Sequence, residues 1–346
     1  MSHRYLVMLC AVIAFVALTP MFGSAQSAEA PRTPWGAPDL QGVWDFRSLT
    51  PLERPTELAD QAFLTEEEAA SLEQAAIDRN TELWNREARR TVAGANVDRG
   101  EDGQPGFYNN FWLDGGTAPV ETRRTSLIVD PPNGRIPPLT QAAAARRAAI
   151  ERERRGVNRH APTPGGFVED LGPNALQLRC ITGFNSGPPM TPGGYNQNVQ
   201  LFQTPDQVVL LNEMNHNFRV IPLDGRPGSG IPQWTGESRG HWDGDTLVVE
   251  TASFLRETSF AQGQTDAHLR LTERFTRVSP ETLMYEATVD NPTVWVRPWT
   301  YEIPMKWNEY PLYEYACHEG NYGLYNILAG ARAEEAEAEA AAQASR

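Results

Sequence analysis

Residues 269–289, LRLTERFTRVSPETLMYEATV, decide the fold. Two runs rich in β-branched and aromatic residues, 269–278 and 282–289, flank the turn-forming residues 279–281. In the second run every other residue is apolar, and alternate side chains of a strand point to the same face. The residues that share this apolar face are Leu283, Tyr285, Ala287 and Val289. The stretch therefore predicts an antiparallel hairpin with one buried face.

Runs of the same kind occur on both sides of this hairpin. They are residues 125–129, 199–203, 207–214, 218–223, 246–251 and 300–305. The connections after residue 196 are turns too short to hold crossover helices, so the strands are expected to pair antiparallel. We therefore predict a mainly β fold with peripheral helices (β+α), built as an antiparallel up-and-down barrel, lipocalin-like, or as a sandwich.

Two helices are predicted outside the strands. Thr65 and Glu68 form a capping box that starts a helix expected to run to about residue 89. A second helix is expected over residues 141–154, after the N-cap residue Thr140. Both helices have weak apolar stripes, so we place them on the outside of the fold.

The chain divides into four parts. Residues 1–25 have the order of a secretory signal, with Arg4 before an apolar run that ends in small residues. Residues 26–195 are an irregular part with two helices that wraps the core, and residues 196–330 are the β meander of the same domain. Residues 331–346 are an acidic, Ala/Glu-rich tail. The signal predicts a periplasmic or secreted protein without a stable membrane anchor.

Composition narrows the partners and the chemistry. The formal net charge of −14 predicts that nucleic acid is not a partner. Lys306 is the only lysine, which argues against lysine Schiff-base chemistry. After removal of the signal, Cys180 and Cys317 are the only cysteines, and two thiols in an oxidising compartment tend to pair. We predict a disulfide between them, with two buried free thiols as the alternative. The sequence leaves the oligomeric state open.

Three segments resemble those of a large exported bacterial family of unknown function. They are PWGAPDLQGVW at 34–44, RTSLIVDPPNGRIP at 124–137 and YACHEGNY at 315–322. The resemblance extends over essentially the whole chain after the signal and implies no particular activity. The residues Gly42-Val43-Trp44 are also similar to the Gly-x-Trp signature of lipocalin-like, or calycin, barrels, which implies a tryptophan that closes the barrel floor. The Pro-rich segment and the helix that follow Trp44 depart from that pattern.

Standard cofactor and catalytic signatures are absent from the sequence, including the Walker loop, Gly-x-Gly-x-x-Gly, Gly-x-Ser-x-Gly, Cys-x-x-Cys and His-Glu-x-x-His. Histidines and carboxylates of the strand region remain as candidates. The predicted catalytic residues are Glu213, His216, His268 and His318. In this set Glu213 orients His216 for proton transfer. We expect no cofactor; the alternative is zinc or another divalent metal, with His216, His241 and His318 as candidate ligands.

Aromatic, amide and guanidinium side chains supply the predicted substrate-binding residues. These are Tyr195, Asn196, Arg219, Trp112 and Trp242. An arginine can hold a carboxylate with two hydrogen bonds, and a tyrosine can donate or accept a proton. Residues 92–116 are rich in Gly, Asn and Asp and are expected to fold over the site as a lid. Aromatic side chains that only pin this loop to the core are the alternative.

Together these residues predict a cofactor-independent periplasmic lyase, isomerase or hydratase. It would act by His/Glu acid–base chemistry on a small apolar molecule, aromatic or carboxylated molecules included. The partner is a small-molecule ligand, bound at the mouth or in the interior of the β structure. The alternatives are a calycin-like periplasmic binding protein without catalysis, a metal-dependent hydrolase, and an envelope module without a ligand.

Overall fold

The computed structural model describes residues 31–85, 114–153, 176–177, 179–255, 259–260, 263–264, 267–319 and 321–345. The predicted secretory signal and most of the predicted lid lie outside these residues. The long helices are α1 (Glu66–Asn85), α2 (Gln141–Glu153) and α3 (Tyr322–Ala344). Among the described residues, no helix is both long and apolar enough to cross a lipid bilayer.

Short strands make up most of the second half of the chain. The strands are β1 (Gly42–Asp45), β2 (Ile128–Asp130), β3 (Asn198–Gln203), β4 (Gln207–Asn212), β5 (Phe218–Pro222), β6 (Glu237–Asp243), β7 (Thr246–Ala252), β8 (Ser259–Phe260), β9 (Gly263–Gln264), β10 (Arg270–Ser279), β11 (Thr282–Asp290) and β12 (Trp299–Asn308). Each run predicted after residue 196 corresponds to one of these strands. The sequence pattern did not predict β1, β6 or the short pair β8 and β9.

One sheet contains all of these strands except the β8–β9 hairpin. Its hydrogen-bonded order is β5-β4-β3-β1-β12-β11-β10-β7-β6, and each pairing is antiparallel. Strand β1 pairs with the C-terminal part of β12, where Trp44 lies opposite Trp307. Strand β2 pairs with the N-terminal part, where Ile128 lies opposite Tyr301. The predicted fold class, mainly β with peripheral helices, is therefore confirmed.

The sheet curls but does not close into a barrel. Its order follows the chain around a ring, and β5 and β6, which are consecutive in the chain, are its two edges. In the described part of the chain this path has nine strands, so the eight antiparallel pairings leave both edges running in the same direction. An antiparallel ladder cannot join such edges, and residues 223–236 connect them instead. The closed-barrel form of the prediction is therefore wrong, and the sheet is open.

The two edge strands nevertheless touch at Gly240 of β6. A Cβ atom at this position would lie 2.8 Å from Cγ2 of Ile221 in β5 and 2.7 Å from Cδ2 of Leu223. Any larger residue would have to displace these two side chains. Glycine at this position therefore lets the two edge strands pack side by side, although no antiparallel hydrogen bonds join their backbones.

Replacing Gly240 with valine is expected to lower the free energy of unfolding by about 1–3 kcal/mol, because the added side chain overlaps Ile221 and Leu223. Urea denaturation followed by circular dichroism measures the loss. His241→Val is the matched control, since His241 is the next residue on β6, its side chain is exposed, and valine is favourable in strands. Equal stability of the two variants would contradict the close packing of the edges.

Large side chains fill the inner face of the curled sheet. Its largest completely buried members are Trp44, Trp299, Tyr285, Tyr301 and Phe275. The predicted apolar face of β11 is confirmed, because Leu283, Tyr285, Ala287 and Val289 are all fully buried. Each large side chain removed from water in this way stabilises the fold by about 1.5–3 kcal/mol. The interior is therefore a packed core.

Trp44 belongs to this core although no strand was predicted around it. Its indole Nε1 donates a hydrogen bond to the Leu40 carbonyl at 2.9 Å, and its ring meets Trp307 edge-on at 5.3 Å. The Arg277 guanidinium lies 5.1 Å from the centre of the Trp44 ring and 5.4 Å from that of Trp307. Gly42 has φ +125°, and a Cβ there would collide with the Trp307 ring. Tertiary packing, rather than local β-propensity, therefore holds this short strand.

The helices begin at the predicted caps. Thr65 Oγ1 accepts a hydrogen bond from the Glu68 backbone N–H at 3.1 Å, and the Thr65 N–H donates to Glu68 Oε2 at 2.7 Å. This reciprocal pair confirms the capping box. Thr140 Oγ1 likewise accepts from the Ala143 N–H at 3.2 Å. The predicted acidic tail, residues 331–346, is helical up to Ala344, because it is the continuation of α3, which begins at Tyr322.

Candidate functional site

A buried ion pair crosses the interior between β5 and β10. The guanidinium of Arg219 donates two hydrogen bonds to the Glu273 carboxylate, at 2.6 and 2.8 Å, and both side chains are buried. The Tyr285 hydroxyl donates to the same carboxylate at 2.9 Å. Burial alone would lower the pKa of Arg219, but attraction to Glu273 raises it. Arg219 was predicted to hold a substrate carboxylate; here its two terminal nitrogens are bound to Glu273.

The segment 185–190, NSGPPM, which we call the plug, reaches into the buried interior of the curled sheet. Met190 is completely buried. Its backbone N–H donates to the Tyr285 hydroxyl oxygen at 3.0 Å, and its carbonyl accepts from the Tyr301 hydroxyl at 2.6 Å. Burial raises the pKa of both tyrosines well above the ordinary value, so both hydroxyls keep their protons at neutral pH. The interior is thus occupied, and the mouth remains as the place for a ligand.

A cleft of about 420 Å³ lies where β4 ends and β5 begins, and we call this end of the sheet its mouth. Its volume falls within the range of small-molecule sites, about 300–1,000 Å³. The residues that line it are Ile181, Thr182, His216, Asn217, Phe218, Pro232, Gln233, Trp234, Thr235 and Leu255. The lining thus combines apolar side chains with hydroxyl, amide, indole and imidazole groups, as expected of a binding site.

Asn217 holds one wall of the cleft, residues 181–182, which comes before the plug in the chain. Its side-chain oxygen accepts from the Gly183 N–H and from the Ser186 hydroxyl, both at 2.8 Å. Its side-chain nitrogen donates to the Ile181 carbonyl at 3.1 Å. One amide therefore replaces the backbone pairing that this irregular segment lacks. The wall is held in place although it contains no strand.

The opposite wall is tied to β7 and β6. The Gln233 N–H donates to the Ser253 carbonyl, and the Gln233 carbonyl accepts from Leu255, both at 2.9 Å. Glu237, at the start of β6, accepts from the backbone N–H groups of Ser229 and Gly230 at 2.8 and 3.1 Å. Hydrogen bonding from Ser229 is the main cause that lowers the pKa of Glu237 to about 2. The carboxylate therefore stays ionised and holds the loop that leads into this wall.

Several positive φ angles occur at or next to the cleft. Of the six described non-glycine residues with positive φ, His216 lines the cleft, Cys180 and Asn215 each precede a lining residue, and Ser253 is hydrogen-bonded to the lining residue Gln233. The other two, Arg123 and Asn196, do not line it. The values at Asn215 and His216 are 55° and 41° on consecutive residues. Residues other than glycine adopt this region at a cost of about 1–3 kcal/mol each, and such strain clusters at functional sites. The strain thus favours a functional role for the loop that carries His216.

The predicted disulfide between Cys180 and Cys317 is confirmed. The two Cα atoms lie 5.8 Å apart, and the bond ties residues 315–319 to the wall that begins at Ile181. This disulfide is compatible with folding in an oxidising compartment. Residues 315–319 make a second contact through a hydrogen bond between Tyr315 and Tyr195. Burial, together with this hydrogen bond, raises the pKa of Tyr315 to about 12.

The structure separates the four predicted catalytic residues. His216 lines the cleft, as stated above. The Glu213 carboxylate accepts from the Asn198 N–H at 3.3 Å and from its side-chain amide at 2.8 Å, so it anchors β3. His268 lies in the turn before β10 and His318 follows Cys317; both are exposed, and neither lines the cleft. Of the four, only His216 is brought to this site.

The candidate metal ligands do not form a site either. Within the described ranges, no three or more His, Cys, Asp or Glu side chains come together as a metal centre would require. His241 is exposed on β6, while the neighbouring Gly240 faces the inside. Within those ranges no such cluster joins His216, His241 and His318, and a divalent metal as cofactor stays a prediction.

The predicted substrate-binding residues are also dispersed. Tyr195 and Asn196 border the cleft wall, where their carbonyls accept from the Asn185 side chain at 2.9 and 3.1 Å. Trp242 packs against the core, and Trp112 lies outside the described residues. The sequence reading missed Thr182, Gln233, Trp234, Thr235 and Leu255. The one local signal was a glutamine and a tryptophan within a loop otherwise rich in Gly and Pro.

Comparisons with protein-family profiles, with curated proteins and with solved structures found no significant match to this chain. The fold and the site therefore define it by themselves. It is a mainly β protein with a curled antiparallel sheet, a plugged interior and a cleft at the mouth of the sheet.

Proposed function

We propose that this chain is an exported, periplasmic protein that binds a small molecule in the cleft at the mouth of its sheet. The observation that carries the proposal is the cleft itself, about 420 Å³ in volume and lined by both apolar and hydrogen-bonding side chains. Two features support it: the strained backbone at His216, because such strain clusters at functional sites, and the disulfide beside Ile181, because it tethers this part of the lining. Export is supported by the signal-like order of residues 1–25 together with this disulfide.

Acid–base catalysis by a lyase, isomerase or hydratase is the second candidate. The strained position of His216 favours it, since an imidazole is the commonest proton-transfer group in enzymes. None of the described residues that line the cleft carries a carboxylate, and Glu213 is bound to Asn198. A second acid or base would have to come from the ligand or from water. Binding without catalysis therefore has the stronger support of the two.

The binding function is tested with indole, benzamide and benzoate as probes in ligand-observed NMR titrations. At least one probe is expected to bind with a dissociation constant on the order of 1 mM or tighter, since such small ligands gain limited contact energy. A cleft-filling variant, Thr235→Trp, should abolish that binding. Unchanged binding to a Thr235→Trp protein that remains folded would place the site elsewhere and refute the proposal.

Removing the imidazole is expected to weaken binding of the best probe about threefold to tenfold, the loss of one hydrogen bond worth about 1 kcal/mol. The variant is His216→Ala, and the matched control is His241→Ala, an exposed histidine outside the cleft. The same NMR titration measures both. If His216→Ala abolished turnover of a probe while its binding stayed unchanged, the catalytic candidate would replace the binding proposal.

A further inference from the structure

We infer that the ligand of this cleft carries no net charge at neutral pH. The inference rests on the proposed binding function and names the class of molecule that the cleft selects. That class is an uncharged amphipathic molecule with an apolar ring or chain and one or two amide, hydroxyl or carbonyl groups. It replaces the carboxylated substrate and the arginine partner that the sequence suggested.

The first argument is the chemistry of the lining. Among the described residues that line the cleft there is no Asp, Glu, Lys or Arg. Hydrogen bonding there comes from uncharged side chains such as Thr182, Gln233 and Thr235, together with the imidazole of His216. The apolar contacts come from Ile181 and other aliphatic or aromatic side chains. Such a lining satisfies a neutral polar group well and a fixed charge poorly.

The second argument is that three described charged residues near the lining in the sequence are occupied or lie outside the cleft. Arg219, next to the lining residue Phe218, is paired in the interior with Glu273. Glu237 is held by the Ser229 and Gly230 N–H groups. Arg179 is exposed and does not line the cleft. Within the described part of the chain, none of these charges is directed to a ligand.

The third argument is energetic. A carboxylate or ammonium group that leaves water for a site without an opposite charge loses hydration that neutral hydrogen bonds replace only in part. The formal net charge of −14 adds a long-range repulsion for anions. An amide or hydroxyl group has a smaller desolvation cost, and the threonine and glutamine side chains can offset it. Desolvation therefore selects against both the anionic and the cationic form of the same molecule, and the net charge of the chain adds to this effect for the anion only.

The test compares three probes that share one ring and differ in charge: benzamide, benzoate and benzylamine. NMR titration at pH 7.5 is expected to show benzamide binding at least tenfold more tightly than either charged probe. If benzoate or benzylamine bound as tightly as benzamide, and Thr235→Trp abolished that binding, the inference would be overturned and the binding function would stand. Failure of all three probes and of indole to bind would instead refute the binding function and the inference with it.

A gain-of-charge variant tests the cause of the selectivity. Gln233→Arg places a guanidinium in the lining while the backbone bonds of residue 233 to Ser253 and Leu255 are kept. It is expected to raise benzoate affinity relative to benzamide by at least tenfold, because arginine binds carboxylates with two charge-assisted hydrogen bonds. An unchanged benzoate-to-benzamide ratio in this folded variant would show that the charge of the lining does not set the preference.

Discussion

Replacing Glu273 with glutamine is expected to lower the free energy of unfolding by about 3–5 kcal/mol, since it leaves a buried guanidinium without its counter-charge. Glu273 is completely buried and accepts both terminal nitrogens of Arg219 together with the Tyr285 hydroxyl. Removing the charge therefore disturbs three strands at once. Tyr285 also holds Met190, so the loss is expected to loosen the plug. Urea denaturation monitored by tryptophan fluorescence measures the effect.

The adjacent residue of the same strand provides the control for this prediction. Arg274 pairs with Asp243 at 2.9 Å on the outer surface, where Asp243 is exposed and Arg274 is partly exposed. Arg274→Met is expected to cost no more than about 1 kcal/mol, because water already solvates both charges. A double variant, Arg219→Met with Glu273→Gln, should recover part of the loss, since no unpaired charge is left. Glu273→Gln costing no more than Arg274→Met would contradict the burial of the pair.

The fold followed from the sequence where local pattern and tertiary environment agree. The β10–β11 hairpin is such a case, because its alternating apolar residues are those that face the core. Strand β6, ESRGHWD, is the opposite case. It lies at an edge of the sheet, and two of its three inward positions hold Ser238 and Gly240, so that Trp242 is the one large side chain of this strand that packs against the core. A polar edge strand has no period-two apolar signal, so no strand was predicted there.

The site was less predictable because its parts come from segments far apart in the chain. His216 was identified from the sequence, but its expected partner Glu213 binds Asn198 fifteen positions earlier. Sequence spacing alone cannot predict whether Glu213 contacts His216, since the backbone from Glu213 to His216 has positive φ angles at Asn215 and His216. Glu273 offered a usable signal that was not read. It alternates with Leu271 and Phe275, so it had to face the core and find a charged partner there.

Removing the disulfide is the second change with a large expected effect. The bond joins residues 137 positions apart in the chain. In the chain-entropy model, closing so long a loop in the unfolded state is worth about 4–5 kcal/mol. The double variant Cys180→Ala with Cys317→Ala is therefore expected to lose about this much stability in urea denaturation. A loss below about 1 kcal/mol would contradict the model for this chain.

A reducing agent supplies the internal control, because it should destabilise the wild-type protein to the level of the double variant and leave the variant unchanged.

Ligand binding in the cleft provides a second measurement of the effect of the disulfide. Cys180 immediately precedes the wall residue Ile181 and has a positive φ of 56°, so the bond holds this strained position in place. Benzamide binding is therefore expected to weaken in the double variant under conditions where the protein is still folded. The Arg219–Glu273 pair lies inside the sheet and is held by other strands, so it should persist in that state. Loss of the cleft before loss of the core would follow from this difference, and NMR titration below the unfolding midpoint would detect it.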